Sequence, residues 1–163
     1  MAIVRSISKR LTLYKTLDFP ASYKTPTQFR HRAIIGLGGN VGDVHRRFVH
    51  LLHYLKRTPS ITLLETSPLL QNPPFGYTDQ DDFVNAVIEV GTNMNPHTLL
   101  NFLLRTEKHF GRQRSFANAP RTLDLDLIFF DKVKMTSPVL TLPHPHWSER
   151  ESVMIPLQLL GRR

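Results

Sequence analysis

Two aspartates set two residues apart in an alternating apolar run could hold a pair of divalent cations, and residues 120–130, PRTLDLDLIFF, contain such a pair. Leu123, Leu125 and Leu127 alternate with Asp124 and Asp126. That is the period of a strand with one buried face, so both carboxylates share the other face. Residues two apart on a strand lie roughly 6.5–7 Å from each other, and two carboxylates so placed can hold ions about 3.5–4 Å apart for phosphoryl chemistry. A lone D-x-D is more often a pair of surface aspartates on a half-solvated strand. Here the neighbourhood is basic: Arg121 precedes the pair, Arg112 and Arg114 lie upstream, and His144 and Arg150 follow. Acids that hold metal beside guanidiniums that take phosphate oxygens bidentately make a cradle for a metal triphosphate.

The elements that must position these groups can be read in order. Residues 33–37 form a short apolar strand running into Gly36-Leu37-Gly38-Gly39-Asn40-Val41-Gly42-Asp43, a glycine turn with Asp43 as N-cap of a helix. The turn lacks a P-loop lysine and the G-x-G-x-x-G spacing, so it reads as mainly structural. Over residues 44–57, Phe48, Leu51, Leu52 and Leu55 make a core stripe. Residues 61–70 supply a second strand, and QNPPFGY after it is a loop that is either a connector or a lid. In the third strand, residues 82–90, Phe83, Asn85 and Val87 share one face and Val84, Ala86, Ile88 and Val90 the other. A strand asparagine beside an aromatic is either a satisfied interior polar group or a reader of a flat heterocycle. Pro96 starts a second helix with Leu99, Leu100, Leu103 and Leu104 inward and Gly111 as its stop. Residues 133–142 read as a hairpin, and residues 148–160 as a final helix that Pro156 kinks or ends. The order strand-helix-strand-strand-helix-strand is that of an α+β, ferredoxin-like βαββαβ sandwich: an antiparallel sheet with helices on one face plus a C-terminal helix.

The totals bound the partners. A chain of 163 residues, 40% hydrophobic and 21% charged, suits one folded domain. A net charge of +8 calls for an anionic partner. The absence of cysteine removes disulfides, thiolate nucleophiles and Cys-type zinc sites. No apolar run reaches the roughly 20 residues of a membrane span. Residues 1–32 carry Arg5, Lys9, Arg10, Lys15, Lys24, Arg30 and Arg32 with one acid, Asp18. This basic extension reads as an ordered segment lying on a domain of residues 33–163, with an organelle transit peptide as the alternative.

With these segments assembled, the chain resembles the 6-hydroxymethyl-7,8-dihydropterin pyrophosphokinases over roughly residues 34–157. The resemblance is carried by IIGLGGNVGD, the PPFG loop, DDFVNAVIEV, EKHFGRQR, PRTLDLDLIFF and LPHPHWSER in that order. It implies a cytoplasmic transferase of folate synthesis that passes pyrophosphate from ATP to the pterin hydroxymethyl group, releases AMP and uses two Mg²⁺ ions. By resemblance, Asp124 and Asp126 bind the metals, and Arg112 and Arg121 belong to a catalytic loop that closes on the phosphates. Glu107, Arg114, Thr141, His144 and Arg150 fall at ATP-contacting positions. Pro74, Phe75 and Gly76 cover the pterin, Phe83 stacks on it and Asn85 reads its edge. A monomer is expected, with the N-terminal extension as the place where a dimer would form, and neither nucleic acid nor membrane is a partner. The chain departs from the family at Ser152, where a second stacking aromatic is usual, at Gly39 for a serine and Asn72 for a threonine, and in lacking a tryptophan before Pro120-Arg121.

On the residues alone two other classes stand beside this one. A basic RNA-binding module of the same fold would need surface aromatics where this strand presents two acids. A nucleotidyl transferase or phosphodiesterase could share the D-x-D, but Phe83 with Asn85 favours a pterin.

Overall fold

The computed structural model describes residues 3–6, 10–24, 28–74, 76–113 and 116–161, the first of these as backbone only. Two of the candidate site residues named above, Phe75 and Arg114, lie outside that set. The chain runs β1 (Ile3–Ser6), β2 (Thr12–Lys15), β3 (Ala21–Ser22), β4 (His31–Gly39), α1 (Val44–Lys56), β5 (Ile61–Thr66), β6 (Leu69–Asn72), β7 (Phe83–Thr92), α2 (Pro96–His109), β8 (Asp124–Phe130), β9 (Met135–Thr136), β10 (Thr141–Leu142) and α3 (Glu151–Leu159).

This is an α+β arrangement built on an antiparallel sheet. β4 lies between β7 and β8, and the far edge of β7 is shared by β5 and β6. β2 adds to β6, β1 to β2, and β3 to β5. β9 and β10 form the small separate hairpin expected over residues 133–142.

Local chemistry explains the boundaries. The Asp43 side chain accepts from the Arg46 amide and starts α1, and Asn95 caps α2 through the Thr98 amide with Pro96 in the first turn. The α1 stripe of Phe48, Leu51, Leu52 and Leu55 and the α2 stripe of Leu99, Phe102 and Leu103 bury against Ile35 and Leu37 of β4, Ile88 of β7, and Leu125 and Leu127 of β8. Leu100 and Leu104, expected on that inner face, are only half-buried, because Phe102 and Thr106 occupy the inward positions. Leu70, Val87 and Ile128 are fully buried on the other face, where α3 packs on β6 and β7.

Three boundaries differ from expectation. β4 continues through Gly38 and Gly39, paired to Asn85 and Val84, so the first glycines are strand and the turn is confined to residues 40–43. The strand over residues 61–70 is broken by Ser67-Pro68, since Pro68 has no amide to donate; the Ser67 hydroxyl serves the Val87 amide there. Trp147–Glu149 form a 3₁₀ turn before α3, which begins at Glu151 and runs past the buried Pro156 to Leu159.

The basic extension is woven into the sheet. Phe19 is fully buried in the main core, its ring 6.1 Å from that of Phe48. The Thr66 hydroxyl donates to the Asp18 carbonyl and accepts from the Ala21 amide. Among the described residues no helix is long and apolar enough to cross a membrane.

Candidate active site

Phe83, Asn85, Asp124 and Asp126 meet on the sheet face opposite α1 and α2, at the end of β4 nearest α1. Asn85 of β7, Gly38 of β4 and Asp124 of β8 lie in register across three strands, and Gly36 lies between Val87 and Asp126 in the next row. Adjacent strands are about 4.8 Å apart, so Asn85 and Asp124 face each other across a gap with no side chain in it. A Cβ at Gly38 would meet Asn85 Oδ1 at 2.9 Å and so displace that side chain, while Asp124 Cβ would stand at an ordinary 3.8 Å. On the β7 side, Asn85 Nδ2 donates to Asn72 Oδ1 of β6, which leaves the Asn85 carbonyl turned over Gly38. Phe83 lies two residues before Asn85 on the same face and is buried.

On the β8 side, alternation does what the pattern predicted. Leu125 and Leu127 are buried, and Asp124 and Asp126 share the site face beside the glycines. Arg112 Nη1 bonds Asp124 Oδ1 at 2.5 Å and Glu107 Oε2 at 2.9 Å, with only 8% of its side chain exposed. Glu107 is buried at the end of α2, and its carboxylate also accepts from the Leu125 amide at 2.7 Å. Its charge is therefore directed at the base of β8. Arg121 Nη1 stands 3.9 Å from Asp124 Oδ2, while its guanidinium lies 5.8 Å from the Phe83 ring centroid. One side chain thus spans from the acids to the aromatic wall.

Electrostatics mark the acidic pair. Burial, then the charges of Asp124 and Glu107, push the Asp126 carboxyl up to about 7 against the pull of Arg150 and Arg121. His144 is lowered by burial and by Arg150 and His146, against Asp124, so it faces the site as a neutral imidazole. Arg150 is exposed at the N-cap of α3.

The loops over this face are joined at a residue that sequence reasoning passed over. Asn40, read as part of a turn, is buried; its Oδ1 accepts from the Arg121 amide at 2.8 Å and its amide donates to the Arg121 carbonyl at 3.0 Å. Its Nδ2 donates to Gln80 Oε1 and to the Asp81 carbonyl, and Gln80 Nε2 donates in turn to the Tyr77 and Asn118 carbonyls. The glycine turn, the loop over residues 73–82 and the loop over residues 111–121 are therefore one hydrogen-bonded unit. At their tips Tyr77 and Phe116 meet edge to face, ring centroids 5.2 Å apart. Residues 116–121 of the later loop line, with Arg112 and Gln113, a cleft of about 260 Å³. A polar residue directly after a glycine-rich strand end was the available signal for Asn40. Its three partners are distant in sequence, so the role could not be read there.

Of the other expected residues, Gly76 adopts a positive φ of 80° against the Asn118 side chain, and Pro74 is half-buried beside it. Thr141 sits in β10, away from the acids' hydrogen bonds, and Ser152 is half-buried in the first turn of α3.

The arrangement has relatives. Residues 34–161 match the family model described as 7,8-dihydro-6-hydroxymethylpterin-pyrophosphokinase. The chain is 41% identical over 143 residues to the 2-amino-4-hydroxy-6-hydroxymethyldihydropteridine pyrophosphokinase of Helicobacter pylori, covering 86% of this chain and 88% of the relative. It is 39% identical over 146 residues to the protein of the same name from Campylobacter jejuni, covering 90% and 93%. It also matches the mitochondrial folate synthesis bifunctional protein of Pisum sativum at 39% identity over 129 residues, 78% of this chain and 25% of that protein.

Proposed function

The chain belongs to the 7,8-dihydro-6-hydroxymethylpterin-pyrophosphokinase family, and from that membership we propose how its residues divide the work. The protein transfers pyrophosphate from ATP to 6-hydroxymethyl-7,8-dihydropterin in folate biosynthesis, giving the pterin diphosphate and AMP. The pterin hydroxymethyl oxygen attacks the β-phosphorus of ATP, the bond from β-phosphorus to the α,β-bridging oxygen breaks, and AMP carries that oxygen away. We take the fold to be the ferredoxin-like βαββαβ sandwich with its sheet extended by the N-terminal strands.

The observation that supports this division is the row Asn85, Gly38, Asp124. The pterin belongs on the Asn85 side, with Phe83 against its ring and the Asn85 carbonyl accepting from a ring N–H. The triphosphate belongs on the Asp124 side. The bare strand between them lets the hydroxymethyl oxygen approach phosphorus without a side chain in the way.

Asp124 and Asp126 would hold Mg²⁺. The donor set fits: both are oxygen ligands, and burial followed by the Asp124 charge raises Asp126. Among the described residues no group of three or more such side chains could hold an ion unaided. Mg²⁺ is commonly held by one or two carboxylates with substrate phosphates and water completing the shell. When bound, the metal supplies charge neutralisation on the phosphates. The chain's own part is positioning and fixed charge. Arg121 spans both substrates' places, Arg112 is held at Asp124 by Glu107, and His144 and Arg150 face the nucleotide side. The joined loops over residues 73–82 and 111–121 exclude water and so suppress hydrolysis of ATP.

Incubation with ATP, Mg²⁺ and 6-hydroxymethyl-7,8-dihydropterin should yield AMP and pterin diphosphate in equal amounts, with neither formed when Mg²⁺ is omitted. Product without Mg²⁺ would overturn the metal assignment, and AMP without pterin product would overturn the substrate assignment.

A further inference from the structure

Residues 12–23 run along the outer edge of the half-sheet that carries the pterin wall, and the division of work above leaves them without a task. β2 pairs with β6 through Thr12↔Gln71, Leu13↔Leu70 and Tyr14↔Leu69. β6 pairs in turn with β7 through Leu70↔Asn85, Gln71↔Val84 and Asn72↔Phe83. The extension is thus one strand removed from both residues assigned to the pterin. A side-chain chain crosses the same gap: the Tyr14 hydroxyl donates to Gln71 Oε1, and Gln71 Nε2 donates to Asp82 Oδ2 at 3.2 Å. Asp82 immediately precedes Phe83, and Gln71 immediately precedes Asn72, whose Oδ1 holds the Asn85 amide. With its acceptor oxygen taken by Tyr14, the Gln71 amide is fixed with its NH₂ toward Asp82.

We propose that Tyr14 is a positioning residue for the pterin half of the site, acting through Gln71 and Asp82 on the register and orientation of Phe83 and Asn85. Leu13 is buried beneath the same strand pair, and Phe19 anchors the segment in the core, so Tyr14 reaches Gln71 from a fixed backbone. Without β2, β6 would be an edge strand of four residues carrying one wall of a recognition site, and such edges fray. The acids and the Arg112–Glu107 pair of the triphosphate half hang on β8 and α2, neither of which the extension pairs with. The effect should therefore fall on one substrate. This inference rests on assigning Phe83 and Asn85 to the pterin.

The test compares the full-length wild-type chain with Tyr14→Phe, which deletes one hydroxyl and no packing. Steady-state kinetics would vary pterin at saturating Mg-ATP and then the reverse, and hydrogen exchange would follow the amides of β6 and of residues 82–85. The KM for pterin should rise about two- to tenfold, the worth of one net hydrogen bond. The kcat and the KM for ATP should stay within about twofold. The amides of β6 and residues 82–85 should exchange faster. Gln71→Leu should produce the same split, and the double variant should be no worse than the poorer single one. Equal rises in both KM values, or an unchanged pterin KM with unchanged exchange, would overturn the inference while the wild type still turns over. A wild-type chain that makes no pterin diphosphate would overturn the functional reading, and this inference with it.

Discussion

Asn40 and Arg121 hold each other twice, the Arg121 amide donating to Asn40 Oδ1 and the Asn40 amide to the Arg121 carbonyl, so the glycine turn fixes where the arginine's backbone begins. Asn40→Ala leaves that amide and Gln80 Oε1 without their partner in a partly buried place. It should destabilise the protein by about 1–3 kcal/mol and slow the chemical step. Urea unfolding and single-turnover kinetics check the two parts separately. A slower step at unchanged stability would show that positioning of Arg121 dominates.

Arg121 touches Asp124 on one side and Phe83 on the other. Arg121→Ala should lower the single-turnover rate about 10²–10³-fold, as loss of a preorganised charge on a developing anion does. ATP binding should change less. An unchanged single-turnover rate would remove Arg121 from the chemistry.

A methyl group at Gly38 fits only if the Asn85 side chain moves. Gly38→Ala should push Asn85 aside and raise the KM for pterin about tenfold, the scale of a tight overpacking clash. The KM for ATP should move less, since Asp124 Cβ remains at ordinary contact distance. An ATP-first loss would mean that the Asn85 side of the strand is not where the pterin lies.

Glu107 fell at an ATP-contacting position by resemblance, yet its carboxylate serves the Leu125 amide and Arg112. Glu107→Gln keeps the shape and removes the charge. It should cost about 1–3 kcal/mol of stability and leave the ATP dissociation constant within about threefold, measured by calorimetry. A large loss of ATP affinity at full stability would show that Glu107 contacts the nucleotide.

The pH dependence has a definite sign. Asp126 is raised to about 7 from an ordinary 3.8, so the folded chain holds this proton where the unfolded chain has lost it. Its contribution to stability is present below about pH 4 and is lost as pH rises through about 7. Without added metal, Asp126→Asn should be more stable than wild type at about pH 8, and the gap should close toward about pH 5. Thermal melts across that range check it. On the proposed assignment of Mg²⁺ to Asp126, binding would displace that proton, so Mg²⁺ affinity should strengthen over the same interval.

Much of the fold was legible because its signals are local. Period-2 alternation fixed which face Asp124 and Asp126 share, and the stripes of α1 and α2 fixed the core. Phe83 with Asn85 pointed to one wall of the candidate site. The run at residues 36–39 was misjudged because glycine has no side chain to alternate, and only pairing with β7 and β8 makes it strand. Asn40, Gln80, and the pairs Asn72 with Asn85 and Tyr77 with Phe116 join segments far apart in the chain, so neither periodicity nor local spacing could register them. The extension's apolar residues suggested order, but which edge they cover depends on the sheet.

The position of β4 between β7 and β8 also bears on how the molecule comes into being. During synthesis β4 emerges early, but one of its neighbours is made only after residue 124 has been added. Phe19 must likewise wait for Phe48, and β2 for β6. Contacts of such long sequence separation carry a large loop-closure cost and make folding slow. The half of the sheet assigned to the pterin can pair as soon as β7 is made. The acids on β8 come later, so the two halves of this sheet face are completed in turn as the chain leaves the ribosome.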